Sequence, residues 1–174
     1  PVKYLLRTRP LTLRGGAANC MREGTMRTES RRVAAWLLVI MPTVVIGGVS
    51  VLTLLVHDPA YMDNPLRQDL WRAGHAHAGV LLILSLVALR YVDEARLTDR
   101  NRSMVRWAFP VAAVLMPLAF FLSVLDPGAT EPNVLIYLAY VGAVVLVTAM
   151  VTLAVGLLRA TAHADDPNRV TATH

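Results

Sequence analysis

The sequence predicts an all-α protein, an integral membrane four-helix bundle whose N and C termini both lie in the cytoplasm. Four apolar stretches are each long enough to cross a hydrocarbon core of about 30 Å, and none has a charged residue at its centre. Arginines gather at alternate ends of these stretches, and tryptophan and tyrosine residues fall near the ends. Only 17% of the residues are charged, whereas a soluble domain carries about a quarter.

The N-terminal segment, residues 1–30, is polar and basic, and we expect it to be a disordered extension. Because Met26 opens a natural-looking start, MRTESRR, residues 1–25 are either part of the natural protein or upstream sequence read as protein. The first span, residues 33–56, follows an arginine pair that also suggests a twin-arginine export signal. The run is long for a signal and no A-x-A-like cleavage site follows it, which favours an uncleaved membrane helix.

Three further spans complete the predicted membrane domain. They cover residues 75–92, 107–125 and 134–158, so that residues 31–160 form one four-span domain and residues 161–174 a polar C-terminal tail.

The loops between the spans alternate in charge. The first loop carries three aspartates and the third, DPGATEPN, carries no positive charge, whereas the loop between Arg90 and Arg106 is strongly basic. Because arginine is enriched in cytoplasmic loops, this alternation predicts a multi-pass plasma membrane protein with both termini inside. The same placement explains the net charge of +5 without a nucleic-acid partner. Within the first loop, LRQDLWRA has the pattern of a short amphipathic turn on the surface, with Trp71 towards lipid.

Small residues form a stripe along the fourth span. Ala139, Gly142, Ala149 and Gly156 include three positions spaced by seven residues, which return to nearly the same helix face. Small residues allow close approach of helix backbones in a membrane. The stripe therefore predicts either packing inside one bundle or a contact between two copies of the chain.

Three of the five histidines, His57, His75 and His77, lie at the predicted outer face. Imidazole suits zinc, copper and iron, so the sequence predicts these three as ligands of a divalent transition metal. On a regular helix His75 and His77 point about 200° apart, which favours a pairing of His57 with one of them. The competing interpretations are interfacial histidines that cap the helix start, and proton or substrate handling by His75 or His77.

Haem b is the other cofactor that the histidines suggest. A bis-histidine haem needs histidines on two helices at matching depth. One chain offers His57 with His75 or His77, and a dimer offers two copies of one histidine. Covalent haem attachment is excluded because Cys20 is the single cysteine and no C-x-x-C-H occurs. No H-E-x-x-H, G-x-S-x-G or phosphate-loop motif occurs either, and an enzyme is not expected.

The segments WRAGHAHAGVLLILSLVALRYVDEA and FFLSVLDPGATEPN, together with the glycine-striped last span, carry a resemblance. They resemble small uncharacterised four-span membrane proteins of high-GC bacteria with a GHAHAG-like helix start, over residues 31–160. This resemblance implies fold and location only. The HAH helix start also resembles histidine-bearing helices of haem–copper oxidase-type subunits, but the other histidine-bearing helices of such subunits are missing and no function is carried across.

These features predict a small non-catalytic membrane protein, an accessory or metal- or haem-associated subunit with a histidine cluster at the outer face. The first alternative is a small oligomeric transporter or channel with the histidines at its mouth. The second is a haem b-binding membrane redox protein. The expected partners are the lipid bilayer and either other membrane subunits or further copies of the chain.

Overall fold

The computed structural model describes residues 26–164, and in that range the chain is helical and contains no strand. The long helices are α1 (Thr28–His57), α3 (Pro65–Val92), α4 (Asp99–Ser123) and α5 (Tyr137–Ala164), with a short α2 (Pro59–Met62) and a 3-10 turn (Val134–Ile136) between them. The four long helices, with the 3-10 turn as the start of the fourth, are long and apolar enough to cross a membrane by length and composition. The all-helical class and the four long apolar helices are as predicted.

Two of the helices begin well before the apolar spans that they contain. Asn64 caps α3 by accepting a hydrogen bond from the backbone N–H of Arg67 at 3.0 Å, and a proline occupies the first turn. Thr98 caps α4 in the same way through the N–H of Asn101. The spans predicted at residues 75–92 and 107–125 are therefore the apolar parts of longer helices, and the expected surface turn LRQDLWRA is the beginning of α3.

The outer limits of the helical region also differ from the expected domain boundaries. Helix α1 begins at Thr28, inside the segment expected as an extension, and α5 continues to Ala164, inside the expected C-terminal tail. The rest of both expected tails, residues 1–25 and 165–174, lies outside the described residues.

The helices form an open row in the order α1, α3, α4, α5. Helices α3 and α4 are the central pair, α5 packs mainly on α4, and α1 packs mainly on α3. In the described part of the chain α1 and α5 do not contact each other, so the four helices do not close into a square bundle. In the most apolar window of α1 no residue is buried, against 39% of the residues in that of α4.

The small-residue stripe of α5 packs inside the chain. A Cβ atom placed on Gly142 would lie 2.6 Å from Cγ of Met116 in α4, and one on Gly156 would lie 2.7 Å from Leu97. Ala149, between the two glycines, is fully buried. Of the two interpretations of this stripe, the contacts therefore support packing within one chain, because α4 and the loop before it occupy the space that a second copy would need.

A buried arginine in α4 contacts α1 at the end of the row where α3 ends and α4 begins. This end of the molecule is called the arginine-rich end below. The guanidinium of Arg106 in α4 is 5% exposed and pairs with the carboxylate of Glu29 in α1. Its Nε donates to Oγ of Ser30 at 3.1 Å, and its Nη2 lies 3.5 Å from Oδ1 of Asp93. The last pair is electrostatic only, because its geometry does not make a hydrogen bond.

Candidate functional site

His75 lies in the interface between α3 and α1, not at the end of a helix. A Cβ atom placed on Gly48 of α1 would lie 2.9 Å from both Cε1 and Nε2 of His75, and one on Gly47 would lie 3.8 Å from Nδ1. Any side chain at position 48 would collide with the imidazole. The Gly47–Gly48 pair therefore allows the close approach of α1 and α3 at this point. The ring of His75 is half-buried in this contact.

His77 lies on another face of α3, against α4. Its ring centroid is 5.0 Å from that of Phe120, with an angle of 43° between the planes. Its Nδ1 is 2.7 Å from the carbonyl oxygen of Ala73, which can only accept a hydrogen bond. In the neutral ring Nδ1 therefore carries the hydrogen, and Nε2 keeps the lone pair that can bind a metal or accept a proton.

The three candidate histidines do not converge. His75 meets α1 and His77 meets α4, as their spacing of two residues predicts. His57 is exposed at the end of α1, about 13 Å along the helix axis beyond Gly48, so the structure does not bring it to His75. A pairing of His57 with His75 or His77 stays a prediction. Among the side chains that the structure describes, no three of His, Cys, Asp or Glu lie close enough to share a metal ion, and the metal site stays a prediction.

Three carboxylates, from the start of α3 and from the loops before α3 and after α4, have partners close to them in the chain. Asp69 pairs with Arg72 at 2.8 Å, Asp58 accepts from the backbone N–H of Tyr61, and Asp126 accepts from that of Gly128. Each of these contacts spans three residues or fewer along the chain. The contacts of Asp58 and Asp126 order the loops, the Asp69–Arg72 pair lies within α3, and none of the three brings a carboxylate to His75 or His77.

A cluster of aromatic rings and one arginine surrounds the start of α3, and no motif in the sequence indicates it. The guanidinium carbon of Arg67 lies 4.5 Å from the ring centroid of Trp71, a cation–π contact between neighbours four residues apart. Trp71 also contacts Tyr61 and the α4 residue Phe121, with centroid distances of 5.8 and 5.9 Å. Trp71 therefore packs inward, in contrast to its expected position towards lipid.

The polar atoms of this cluster are buried without hydrogen bonds. Tyr61 Oη, Arg67 Nε and Trp71 Nε1 have no partner among the described residues. Burial raises the pKa of the Tyr61 hydroxyl above its ordinary value of 10.0, while the positive charges of Arg72 and Arg67 partly offset the rise and Asp69 adds to it.

The raised pKa of Tyr61 predicts a loss of stability in alkali. The unfolded chain ionises at about pH 10 while the folded chain holds its proton to higher pH, so stability is full below pH 10 and falls as pH rises towards the folded-state pKa. The free energy of unfolding in detergent, measured from pH 8 to 11, should fall less steeply in Tyr61→Phe than in the unmodified protein. Tyr140→Phe is the control, since that ring is 67% exposed, and an equal effect of both variants would contradict the prediction.

Comparison with protein families establishes one relationship. Residues 62–173 match the family described as Domain of unknown function (DUF8059). The chain belongs to the DUF8059 family. The match covers more than half of the chain and includes α3 with His75 and His77, whereas α1 and His57 precede it. The comparisons with curated proteins and with solved structures give no match.

Membership of DUF8059 is consistent with the expectation of an uncharacterised family. The bacterial source and the GHAHAG-like helix start of its members stay predictions. The family description assigns no activity to any residue.

Proposed function

We propose that this DUF8059 protein is a multi-pass plasma membrane protein with both termini in the cytoplasm, and a non-catalytic accessory subunit. In this proposal α3 contributes one histidine ligand to a metal ion or haem b, and a partner subunit or a second copy of the chain completes the site. The four long apolar helices and the alternating loop charges support the membrane location.

The observation that carries the proposal is the hydrogen bond of His77. A histidine that binds a metal through one ring nitrogen commonly donates a hydrogen bond from its other ring N–H to a carbonyl or carboxylate oxygen, which fixes the orientation of the ring. His77 has this arrangement, with Nδ1 committed to Ala73 at 2.7 Å. The described residues bring no three possible ligands together, so in this proposal the remaining ligands come from another chain.

The depth of the histidines supports a functional interpretation over an interfacial one. Along α3, His75 lies about 22 Å from Arg90, and His77 about 20 Å. If Arg90 marks the cytoplasmic boundary of a core about 30 Å thick, both rings lie several ångströms inside the hydrocarbon. Ionisable side chains at such depth are costly and are functional candidates by default. The transporter and redox-enzyme alternatives have no comparable observation in their favour.

The test is metal and haem analysis of the protein purified in mild detergent from the membranes of the cell that makes it. We expect bound zinc, copper or iron, or the reduced-minus-oxidised absorption of haem b, in the unmodified protein. His77→Gln should lower the bound amount by at least about tenfold, with an unchanged helical circular dichroism spectrum. His57→Gln is the matched control, because His57 is exposed at a helix end. Metal and haem at the level of the buffer blank, or equal loss in both variants, would contradict the proposal.

A further inference from the structure

A groove lies between α1 and α4 at the arginine-rich end. It has a volume of about 360 Å³ and is lined from α1 by Glu29, Arg32, Val33 and Trp36, and from α4 by Ser103, Arg106 and Trp107. It is called the inner groove below. Trp36 and Trp107 form its apolar walls and are 68% and 55% exposed. Two exposed tryptophans beside arginines are typical of the headgroup level of a bilayer.

A second, apolar groove continues from the first along α4. It has a volume of about 290 Å³ and is lined by Trp107, Pro110, Val111 and Val114, so Trp107 is common to both grooves. Val111 and Val114 are each between 40% and 50% exposed, so the surface of this groove is apolar. The combined surface is polar at the end of the helices and apolar towards their middle.

Of the two arginines that line the inner groove, one is available to bind an anion. Arg106 is held by Glu29 and by Asp93 behind it, and its Nη2 has no hydrogen-bond partner among the described residues. Arg32 is exposed and pairs with no carboxylate in residues 26–164. Ser103, exposed on α4, supplies a hydroxyl that can donate a hydrogen bond. Phosphate oxygens are strong hydrogen-bond acceptors for an arginine and a hydroxyl.

We propose that the inner groove binds an anionic phospholipid of the cytoplasmic leaflet. Its phosphate lies between Arg32 and Ser103, and one acyl chain follows the apolar groove past Trp107 and Val114. Basic pockets between membrane helices on the cytoplasmic side are the usual sites for anionic headgroups. The inference rests on the membrane location proposed above, but it does not depend on the histidines.

Tryptophan fluorescence can test this site because the chain has three tryptophans, of which two line the inner groove. The third, Trp71, is at the other end and is replaced by phenylalanine in every sample. The full chain is reconstituted into phosphatidylcholine vesicles that contain the same fraction of brominated phosphatidylglycerol or brominated phosphatidylcholine. We expect stronger quenching by the brominated phosphatidylglycerol, equivalent to a preference of about fivefold for the anionic lipid.

Two charge variants test whether the inner groove causes the preference for the anionic lipid. Arg32→Gln should bring the preference close to one. Arg100→Gln removes the same charge at the same end of the molecule, but Arg100 does not line the groove, and this variant should keep the preference. Equal quenching by the two brominated lipids, or equal effects of the two variants, would overturn the lipid site. Failure of the protein to float with vesicles would contradict the membrane location itself, and the lipid site with it.

Discussion

Replacing Arg106 by methionine is expected to destabilise the protein by about 3–5 kcal/mol, the cost of removing one partner of a buried ion pair. Methionine fills much of the same volume, so the loss comes from the charges that are left behind. Asp93 is 7% exposed and would remain as a buried carboxylate without its cation. Glu29 is 73% exposed, and water replaces its partner at little cost.

A double variant separates the buried charge from the contact itself. In Arg106→Met with Asp93→Asn, position 93 still accepts the hydrogen bond that the backbone N–H of Arg27 donates at 2.8 Å, but it carries no charge. Most of the lost stability should return, because replacing both partners of a buried pair is often nearly neutral. The measurement is denaturant unfolding in detergent, followed by circular dichroism. Arg100→Met, exposed on the same helix, should change stability by about 0.5 kcal/mol or less.

A double variant that is no more stable than Arg106→Met would contradict this prediction. That result would mean that the arginine acts through its contacts with Glu29 and Ser30, and that Asp93 does not depend on it. In that case α1, which has little other contact with α4, would be held to it by a partly exposed ion pair.

The four apolar helices could be predicted from the sequence because span length and charge placement are local properties. The fourth helical segment begins at Val134, directly after the acidic turn DPGATEPN. The starts of α3 and α4 could not be found from hydropathy, which changes at His75 and Trp107, several residues inside the helices. The sequence does carry helix-start signals, namely Asn64 before α3 with Pro65 at its first position, and Thr98 before α4.

The packing of the helices and the contacts of the polar side chains are harder to predict from the sequence. Helical periodicity predicts that His75 and His77 lie on different faces of α3. The sequence around them does not show that His75 contacts Gly47 and Gly48, or that His77 contacts Phe120. The sequence predicts that Arg106 ends a basic loop, because a charged residue beside an apolar span usually marks its boundary. Its burial depends on Asp93 and Ser30, which are distant in sequence and reach it only when the helices pack.

Replacing Gly142 by leucine is expected to cost about 1–3 kcal/mol, the range for overpacking a tightly packed site. Gly142 is buried where α5 crosses α4. An added Cβ would lie 2.6 Å from Cγ of Met116 and 3.4 Å from its backbone nitrogen and from Cβ of Leu115. The Met116 side chain can rotate away, but the backbone of α4 cannot, so a leucine at 142 has to push the two helices apart.

The matched control is Ala154→Leu, which adds bulk to an exposed position of the same helix. Because α5 packs mainly on α4, separation of this pair should lower the midpoint of thermal unfolding in detergent, while the control should leave it nearly unchanged. The two variants also distinguish the interpretations of the stripe. If the stripe joined two copies, Gly142→Leu would shift the protein from dimer to monomer on size-exclusion chromatography. Packing within one chain instead predicts an unchanged oligomeric state with a lower unfolding midpoint.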